Sequence, residues 1–196
     1  HALETVFAFC TDGDRLDCEA ADDITLEIDG PFAAALGEDN LVLTAANALK
    51  QQANVGQGAA LRLIKNLPVA SGIGGGSADA AAALRLLTRL WASDPAHATA
   101  VAPALGADVP ACLLSMTARG EAAGDHLVLV DDPSIAGTPV LLVNPLQPLS
   151  TGAVFANFQD KAELFEAVLT EDMAGLGQVM LNGAGNGSTR DRLVNA

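Results

Sequence analysis

The sequence predicts a fold that mixes strands and helices, of either the α+β or the α/β class. Residues 22–29 alternate between apolar and polar side chains, which is typical of a half-buried strand. Residues 77–91 are rich in alanine and leucine, which favour a helix. Segments of both kinds follow one another along the 196 residues, so a purely helical or purely β fold is not expected.

The elements can be placed in order along the chain. Strands are predicted at residues 3–9, 22–29, 61–65, 127–130 and 139–143. Helices are predicted at residues 41–52, 77–91, 100–105, 151–158 and 161–169. Asp39 and Asn40 are candidate N-caps for the first helix. A connection at residues 144–148 contains two prolines and predicts a boundary between a domain at 1–144 and another at 145–196.

The charge balance excludes nucleic acid as an expected partner. The chain has 24 acidic and 10 basic residues and a formal net charge of -14, whereas a phosphate backbone needs a basic surface. A nucleotide is not excluded, because peptide N–H groups at a helix start can hold phosphate without Lys or Arg.

Cysteine usage and hydropathy indicate the compartment. Cys10, Cys18 and Cys112 are odd in number and form no C-x-x-C pair, so free thiols in a reducing cytoplasm are predicted. No apolar run reaches the roughly 18 residues of a membrane span, and no membrane partner is expected. The chain begins with His1 and not Met, so we expect the natural N-terminus to lie upstream.

A glycine-rich loop between a predicted strand and a predicted helix is the strongest functional signal. Gly72, Gly74, Gly75 and Gly76 leave little side-chain volume, so a ligand can approach the backbone closely. Ser77 is the predicted cap of the following helix, whose N-terminus would offer unpaired N–H groups and a positive dipole end. The sequence therefore predicts a site for a polyphosphate.

The loop matches neither of the two common phosphate-binding patterns. No Lys follows the glycines as in G-x-x-x-x-G-K-[ST], and the spacing of G-x-G-x-x-G is not met. The structural alternative is a tightly packed glycine turn without a ligand.

Four stretches together resemble the GHMP kinases, the family of galactokinase, homoserine kinase, mevalonate kinase and phosphomevalonate kinase. The run from Pro68 to Asp79 is similar to the second motif of the family. Leu105 to Pro110, which reads Leu-Gly-Ala-Asp-Val-Pro, is similar to its catalytic Asp segment. Asp39-Asn-Leu-Val and Leu142-Val-Asn-Pro resemble a helix start and the beginning of the second half of the family's chain.

The resemblance implies an α+β, two-lobed kinase with ATP and Mg²⁺ as cofactors. The implied ATP-binding residues are Pro68, Val69, Ala70, Ser71, Gly72, Ile73, Gly74, Gly75, Gly76, Ser77 and Ala78. Asp108 is the implied catalytic carboxylate, and Ser77 is a candidate phosphate or Mg²⁺ contact. For Asp108 the alternative is a plain turn residue before Val109. Apart from Mg²⁺ bound with the nucleotide, no metal site is expected.

Within the family, the triple glycine followed by Ser-Ala-Asp is closest to the branch that phosphorylates a cytidylyl-linked sugar alcohol on the way to isoprenoid precursors. His1 would then contact the cytosine. A monomer or weak dimer is expected. Two alternatives remain open: a kinase of the homoserine or mevalonate type, and a non-catalytic nucleotide-binding relative.

The chain departs from the family pattern in three places. The opening Pro-Ala-Lys-Ile-Asn-Leu segment, whose Lys assists catalysis, has no counterpart, and the chain contains no Tyr. The third motif has only a loose echo in residues 183–189. We therefore expect the sequence to lack segments of the enzyme at the start and near the end.

Overall fold

The computed structural model describes residues 5–37, 39–121, 126–132 and 135–140. The chain divides into two compact units, residues 1–148 and 149–196, and all described residues belong to the first. His1, the predicted connection at 144–148, the helices predicted at 151–158 and 161–169 and the glycine-rich tail lie outside the described residues. The domain boundary therefore stays a prediction.

Two three-stranded sheets form the β structure of the described part. In one sheet β2 (Arg15–Ala21), β4 (Gly58–Ile64) and β3 (Ile24–Asp29) lie side by side in the order β2-β4-β3. Strand β4 is antiparallel to β2 and parallel to β3. The parallel pair requires a crossover, and helix α1 (Leu41–Gln52) provides it between β3 and β4.

The other sheet is antiparallel throughout and has the order β1-β5-β6. It pairs a strand near the start of the described chain with two strands more than a hundred residues later. These strands are β1 (Thr5–Phe7), β5 (Ala118–Glu121) and β6 (His126–Leu129).

Helices α1 and α2 (Gly75–Leu90) pack against each other and cover the β2-β4-β3 sheet. Helices α3 (Pro95–Leu105) and α4 (Val109–Leu114) pack beside them. Three alanines of α2 are fully buried, and small side chains let neighbouring elements approach closely: Ala80, Ala81 and Ala83. The largest fully buried side chains are Val42, Leu49, Leu61, Leu63, Leu84, Leu87 and Val109, each contributing roughly 1.5–3 kcal/mol of burial free energy.

Most predicted elements within the described residues are confirmed. Helix α1 has the predicted bounds, and its cap is Asn40, whose Oδ1 accepts a hydrogen bond from the Val42 N–H at 2.8 Å. The predicted helix at 100–105 is the end of the longer helix α3, which begins at Pro95 behind an Asp94 cap. The strands predicted at 3–9, 22–29, 61–65 and 127–130 correspond to β1, β3, β4 and β6.

Three elements were not predicted, and two of them are short. Strand β2 was not predicted although Leu16, Cys18 and Ala20 alternate with polar residues along it; none of its residues is fully buried. Strand β5 and helix α4 span four and six residues, which is too short for a period to show. The strand predicted at 139–143 is wrong for Pro139 and Val140, which lie outside any strand, and its other residues are not described.

Helix α2 begins two residues earlier than predicted. Its N-cap is Gly74, which has a left-handed φ of 72° and makes no side-chain cap bond. The prediction that Ser77 caps the helix is therefore wrong. The chain turns into the helix through a conformation that glycine adopts at little cost, so Gly75, Gly76 and Ser77 form the first turn.

Candidate functional site

The glycine-rich loop turns into α2 through alternating backbone conformations. Ala70, Gly72 and Gly74 have left-handed φ angles of 56°, 75° and 72°, respectively. Alternating left- and right-handed residues can turn successive peptide N–H groups toward one side, and such concavities bind anions. The loop leads directly into the N-terminus of a 16-residue helix, where further N–H groups lack intrahelical acceptors.

A cavity of about 350 Å³ lies at this loop. Nine of the eleven predicted ATP-binding residues line it, and Ile73 and Ala78 do not. Ile73 instead has an exposed fraction of 45%. The remaining lining residues come from the chain before α1 and its first residue, from the residue after β4 and from the second turn of α2: Leu36, Asp39, Asn40, Leu41, Lys65 and Asp79.

Two members of a buried cluster of three charges, Lys65 and Asp79, line the cavity. The Lys65 ammonium donates to Oδ2 of Asp79 at 2.8 Å and to Oδ2 of Asp14. The side chains of Lys65, Asp14 and Asp79 are only 3%, 4% and 10% exposed. Lys65 directly follows β4, and Asp79 lies in the second turn of α2, so the ion pair joins the two elements that flank the glycine loop.

Burial and ion pairing shift the pKa values of Lys65 and Asp79 in opposite directions. Burial disfavours the charge of Lys65, but its hydrogen bonds to Asp14 and Asp79 outweigh burial, and the pKa of the ammonium is raised. For Asp79 burial outweighs the Lys65 ammonium, and the nearby Asp14 carboxylate adds to it, so the pKa of Asp79 is raised. Two carboxylates thus share one ammonium in a poorly solvated position.

The predicted catalytic carboxylate lies next to the loop. Asp108 is the residue before α4, is exposed and makes no capping bond with its side chain. Its Oδ2 is 3.7 Å from the position that a Cβ on Gly74 would occupy. A Cβ on Gly106 would lie 3.9 Å from Oγ of Ser77. The segment at 106–108 therefore packs against the start of α2, which brings Asp108 and the glycine loop together.

Not every feature of the described part belongs to this site. A second cavity, of about 660 Å³, lies among α2, α3, α4 and β6 and contains none of the predicted site residues. Within the described ranges, no group of three or more His, Cys, Asp or Glu could hold a metal ion. Among the described helices, none is both long enough and apolar enough to cross a membrane.

Comparisons with known proteins agree on one family. Residues 40–116 match the family described as GHMP kinases N terminal domain. A protein from Hyphomonas neptunium named 4-diphosphocytidyl-2-C-methyl-D-erythritol kinase is 49% identical over 159 residues, covering 79% of this chain and 53% of that protein. A protein of the same name from Parvibaculum lavamentivorans is 50% identical over 160 residues, covering 79% of this chain and 54% of that protein.

This chain belongs to the GHMP kinase family.

A solved structure supports the GHMP kinase fold. The crystal structure of 4-(cytidine 5'-diphospho)-2C-methyl-D-erythritol kinase superposes with a TM-score of 0.57 at 36% identity, over 68% of this chain and 47% of that one. The chain spans about half the length of the curated relatives it matches. The match at 40–116 includes both the glycine loop and Asp108.

The charged cluster of Lys65, Asp14 and Asp79 was not predicted from the sequence. The sequence predicts Lys65 only as the end of a strand, although a basic residue between a strand and a glycine loop is an available signal. It predicts Asp79 only as part of the loop motif. Asp14 carried no signal, because 51 residues separate it from Lys65.

Proposed function

We propose that this chain is part of an ATP-dependent kinase that phosphorylates the 2-hydroxyl of 4-diphosphocytidyl-2-C-methyl-D-erythritol. The observation that carries the proposal is the position of the Asp108 carboxylate beside Gly74 of the glycine loop. A phosphate-binding loop and a carboxylate at one place are two of the parts that phosphoryl transfer to an alcohol uses. The names of the relatives supply the substrate.

The glycine loop suits the phosphates of ATP. A polyphosphate needs N–H donors and space near the backbone, and the glycines with the first turn of α2 offer both. The cavity of about 350 Å³ admits a ligand at this place. Lys65 is a buried cation near the start of the helix, with Nζ 3.5 Å from the position of a Cβ on Gly75.

Mg²⁺ fits the oxygen donors at the mouth of the loop. Mg²⁺ is commonly held by one or two carboxylates together with substrate phosphates and water. Ser77 is the candidate ligand of this chain, since it lies in the first turn of α2 beside the loop, and the phosphates of ATP and water would supply the other oxygens. The ion would neutralise charge on the transferring phosphoryl group.

Asp108 would act on the acceptor alcohol. Its carboxylate would accept the proton of the 2-hydroxyl while the new O–P bond to the γ-phosphorus forms and the bond from that phosphorus to the leaving ADP breaks. A positioned base of this kind contributes typically ~10²–10⁴ in rate. Its exposure leaves one side open to an incoming substrate.

The other parts of the assignment remain predictions. His1 as a cytosine contact lies outside the described residues. Residues 1–144 would form the ATP-binding domain and residues 145–196 part of the second lobe. A cytoplasmic monomer or weak dimer is expected. A homoserine or mevalonate type of kinase is less favoured, because the relatives reported above bear the cytidylyl substrate in their names.

The test is a coupled assay of ADP release with the full-length protein. The cytidylyl substrate, homoserine and mevalonate are compared at equal concentration, with Asp108→Asn as the inactive control. We expect turnover of the cytidylyl substrate alone. Faster turnover of homoserine or mevalonate would move the assignment to another branch, and ATP binding without any turnover would favour the non-catalytic relative.

A further inference from the structure

We propose that Asp14 is a positioning residue that sets the backbone of the phosphate-binding loop from a distant part of the chain. The proposal rests on the function proposed above, because it assigns Asp14 to nucleotide binding at that loop. Asp14 lies between β1 and β2, 51 residues before Lys65. Its side chain is 4% exposed, so its contacts are with protein and not with water.

One carboxylate oxygen of Asp14 holds the start of the loop. Its Oδ1 accepts hydrogen bonds from the backbone N–H of Asn66 at 2.6 Å and of Leu67 at 2.9 Å. Strand β4 ends at Ile64, so these two N–H groups lie beyond the ladder. The Asn66 side chain donates back to the carbonyl of Gly13 at 3.0 Å. Residues 13–14 therefore fix the point at which the chain leaves the sheet.

The other carboxylate oxygen of Asp14 binds the Lys65 ammonium near Gly75, the first residue of α2. Its Oδ2 accepts from the Lys65 ammonium, which also bonds Asp79 of α2. A Cβ on Gly75 would lie 3.5 Å from Nζ of Lys65 and 3.8 Å from Oδ2 of Asp14. The same carboxylate thus contacts the first residues of the loop and lies under the first residue of α2.

A positioning role and an electrostatic role of Asp14 predict opposite changes in ATP affinity when Asp14 is replaced. Asp14, Asp79 and Lys65 together carry more negative than positive charge when all are ionised. Replacing Asp14 by a neutral residue removes negative charge near bound phosphates, and by Coulomb's law that change alone would tighten ATP binding. It would also free one Lys65 donor. A loss of positioning has the opposite sign, because the N–H groups would no longer be aimed in advance.

The experiment uses the full-length enzyme with the variants Asp14→Ala and Asp14→Asn. Leu87→Ala is the control, because Leu87 is fully buried in the last turn of α2 and its loss destabilises the fold without touching the loop. The Kd of ATP is measured by calorimetry, well below the Tm of each variant. We expect Asp14→Ala to weaken ATP binding at least about tenfold, with kcat at saturating ATP little changed. Asp14→Asn, which keeps an acceptor for the two N–H groups, should weaken it less.

The control variant shows whether the loss of ATP affinity arises at the loop or from general destabilisation. Leu87→Ala should lower the Tm at least as much as Asp14→Ala does and leave the Kd of ATP unchanged. Equal or tighter ATP binding by both Asp14 variants overturns the proposal. The proposal is also overturned if Leu87→Ala loses as much ATP affinity as Asp14→Ala.

A second measurement keeps the proposal separate from the proposed function. Amide hydrogen exchange of a peptide spanning residues 66–74 is followed without nucleotide in the same proteins. We expect exchange at least about tenfold faster in Asp14→Ala than in the natural protein or Leu87→Ala. If the natural protein does not bind ATP, the proposed function fails but the exchange result still decides the role of Asp14. Unchanged exchange overturns that role.

Discussion

The carboxylate of Asp108 and the backbone of Gly74 face each other across the mouth of the loop, with Oδ2 3.7 Å from the position of a Cβ on Gly74. Two segments 34 positions apart along the chain meet here. A Cβ at residue 74 would be in ordinary van der Waals contact with this carboxylate, so the left-handed φ of Gly74, and not a lack of space, opposes a side chain there. This geometry leads to the first two predictions.

Gly74→Ala should destabilise the protein, whereas Gly76→Ala should not. A side chain at residue 74 must adopt the left-handed φ of 72°, which costs roughly 1–2 kcal/mol. Residue 76 has no heavy atom within 4 Å of a built Cβ and an ordinary helical φ, so alanine should stabilise there by up to about 1 kcal/mol. Chemical denaturation of both variants measures the difference. Equal free energies of unfolding would contradict the prediction.

Asp108→Asn should lower kcat by about 10²-fold or more and leave the KM for ATP nearly unchanged. Asparagine keeps the size of the side chain and removes the proton acceptor. Stability should not change, because the Asp108 side chain is exposed and makes no capping bond. Steady-state kinetics and a melting curve on the full-length enzyme provide the two measurements. A variant with normal turnover would assign Asp108 to a turn role.

Lys65→Met should destabilise the protein more at neutral than at acid pH. The change leaves Asp14 and Asp79 buried without their cation, and breaking a buried pair in this way costs roughly 3–5 kcal/mol. Without the ammonium, the pKa of Asp79, already raised by burial, should rise further. A folded pKa above the unfolded one costs stability as the pH rises, so lowering the pH protonates Asp79 and restores part of the loss.

Urea denaturation at pH 7 and pH 5 tests the charge argument. Lys65→Met with Asp79→Asn serves as the control, because it removes one of the stranded charges and should flatten the pH dependence. The same stability loss at both pH values in Lys65→Met would attribute the loss to packing and not to charge.

Cys112 should resist thiol reagents in the folded protein. Burial, with the Asp108 carboxylate adding, raises the pKa of the Cys112 thiol from 9.0 to about 11, and the reactive species is the thiolate. Cys10 is exposed and should react first, and Cys18, half-buried with its pKa raised by burial and by Glu19, should follow. Timed alkylation and mass spectrometry give the order. Early labelling of Cys112 in folded protein would contradict it.

Because the pKa of the Cys112 thiol is raised in the folded protein, we also expect a loss of stability at alkaline pH. The unfolded chain releases the Cys112 proton near its ordinary value of 9.0 and the folded chain near 11. The unfolded state therefore binds fewer protons across this window, and the free energy of unfolding falls as the pH rises. Cys112→Ala should show a shallower fall between those pH values, and an identical slope would mean that other groups cause it.

The sequence by itself determined the features that depend on neighbouring residues. Asn40 caps the helix that begins at Leu41, because an amide oxygen two residues back can reach the Val42 N–H. The run of glycines between a strand and a helix predicted the loop, since glycine adopts a left-handed φ at little cost and leaves space for a ligand. The start of α2 was missed by two residues, because pattern alone does not reveal that Gly74 takes the left-handed conformation.

Only the tertiary structure decided which distant residues meet at the loop. The order β2-β4-β3 places a parallel pair beside an antiparallel one, and no local pattern specifies strand neighbours. Asp14 meets Lys65 because the chain before β2, antiparallel to β4, passes the point where β4 ends. A buried carboxylate and a buried ammonium stabilise the fold only as partners, and a partner 51 residues away is set by the packing of the whole chain and not by its neighbours in sequence.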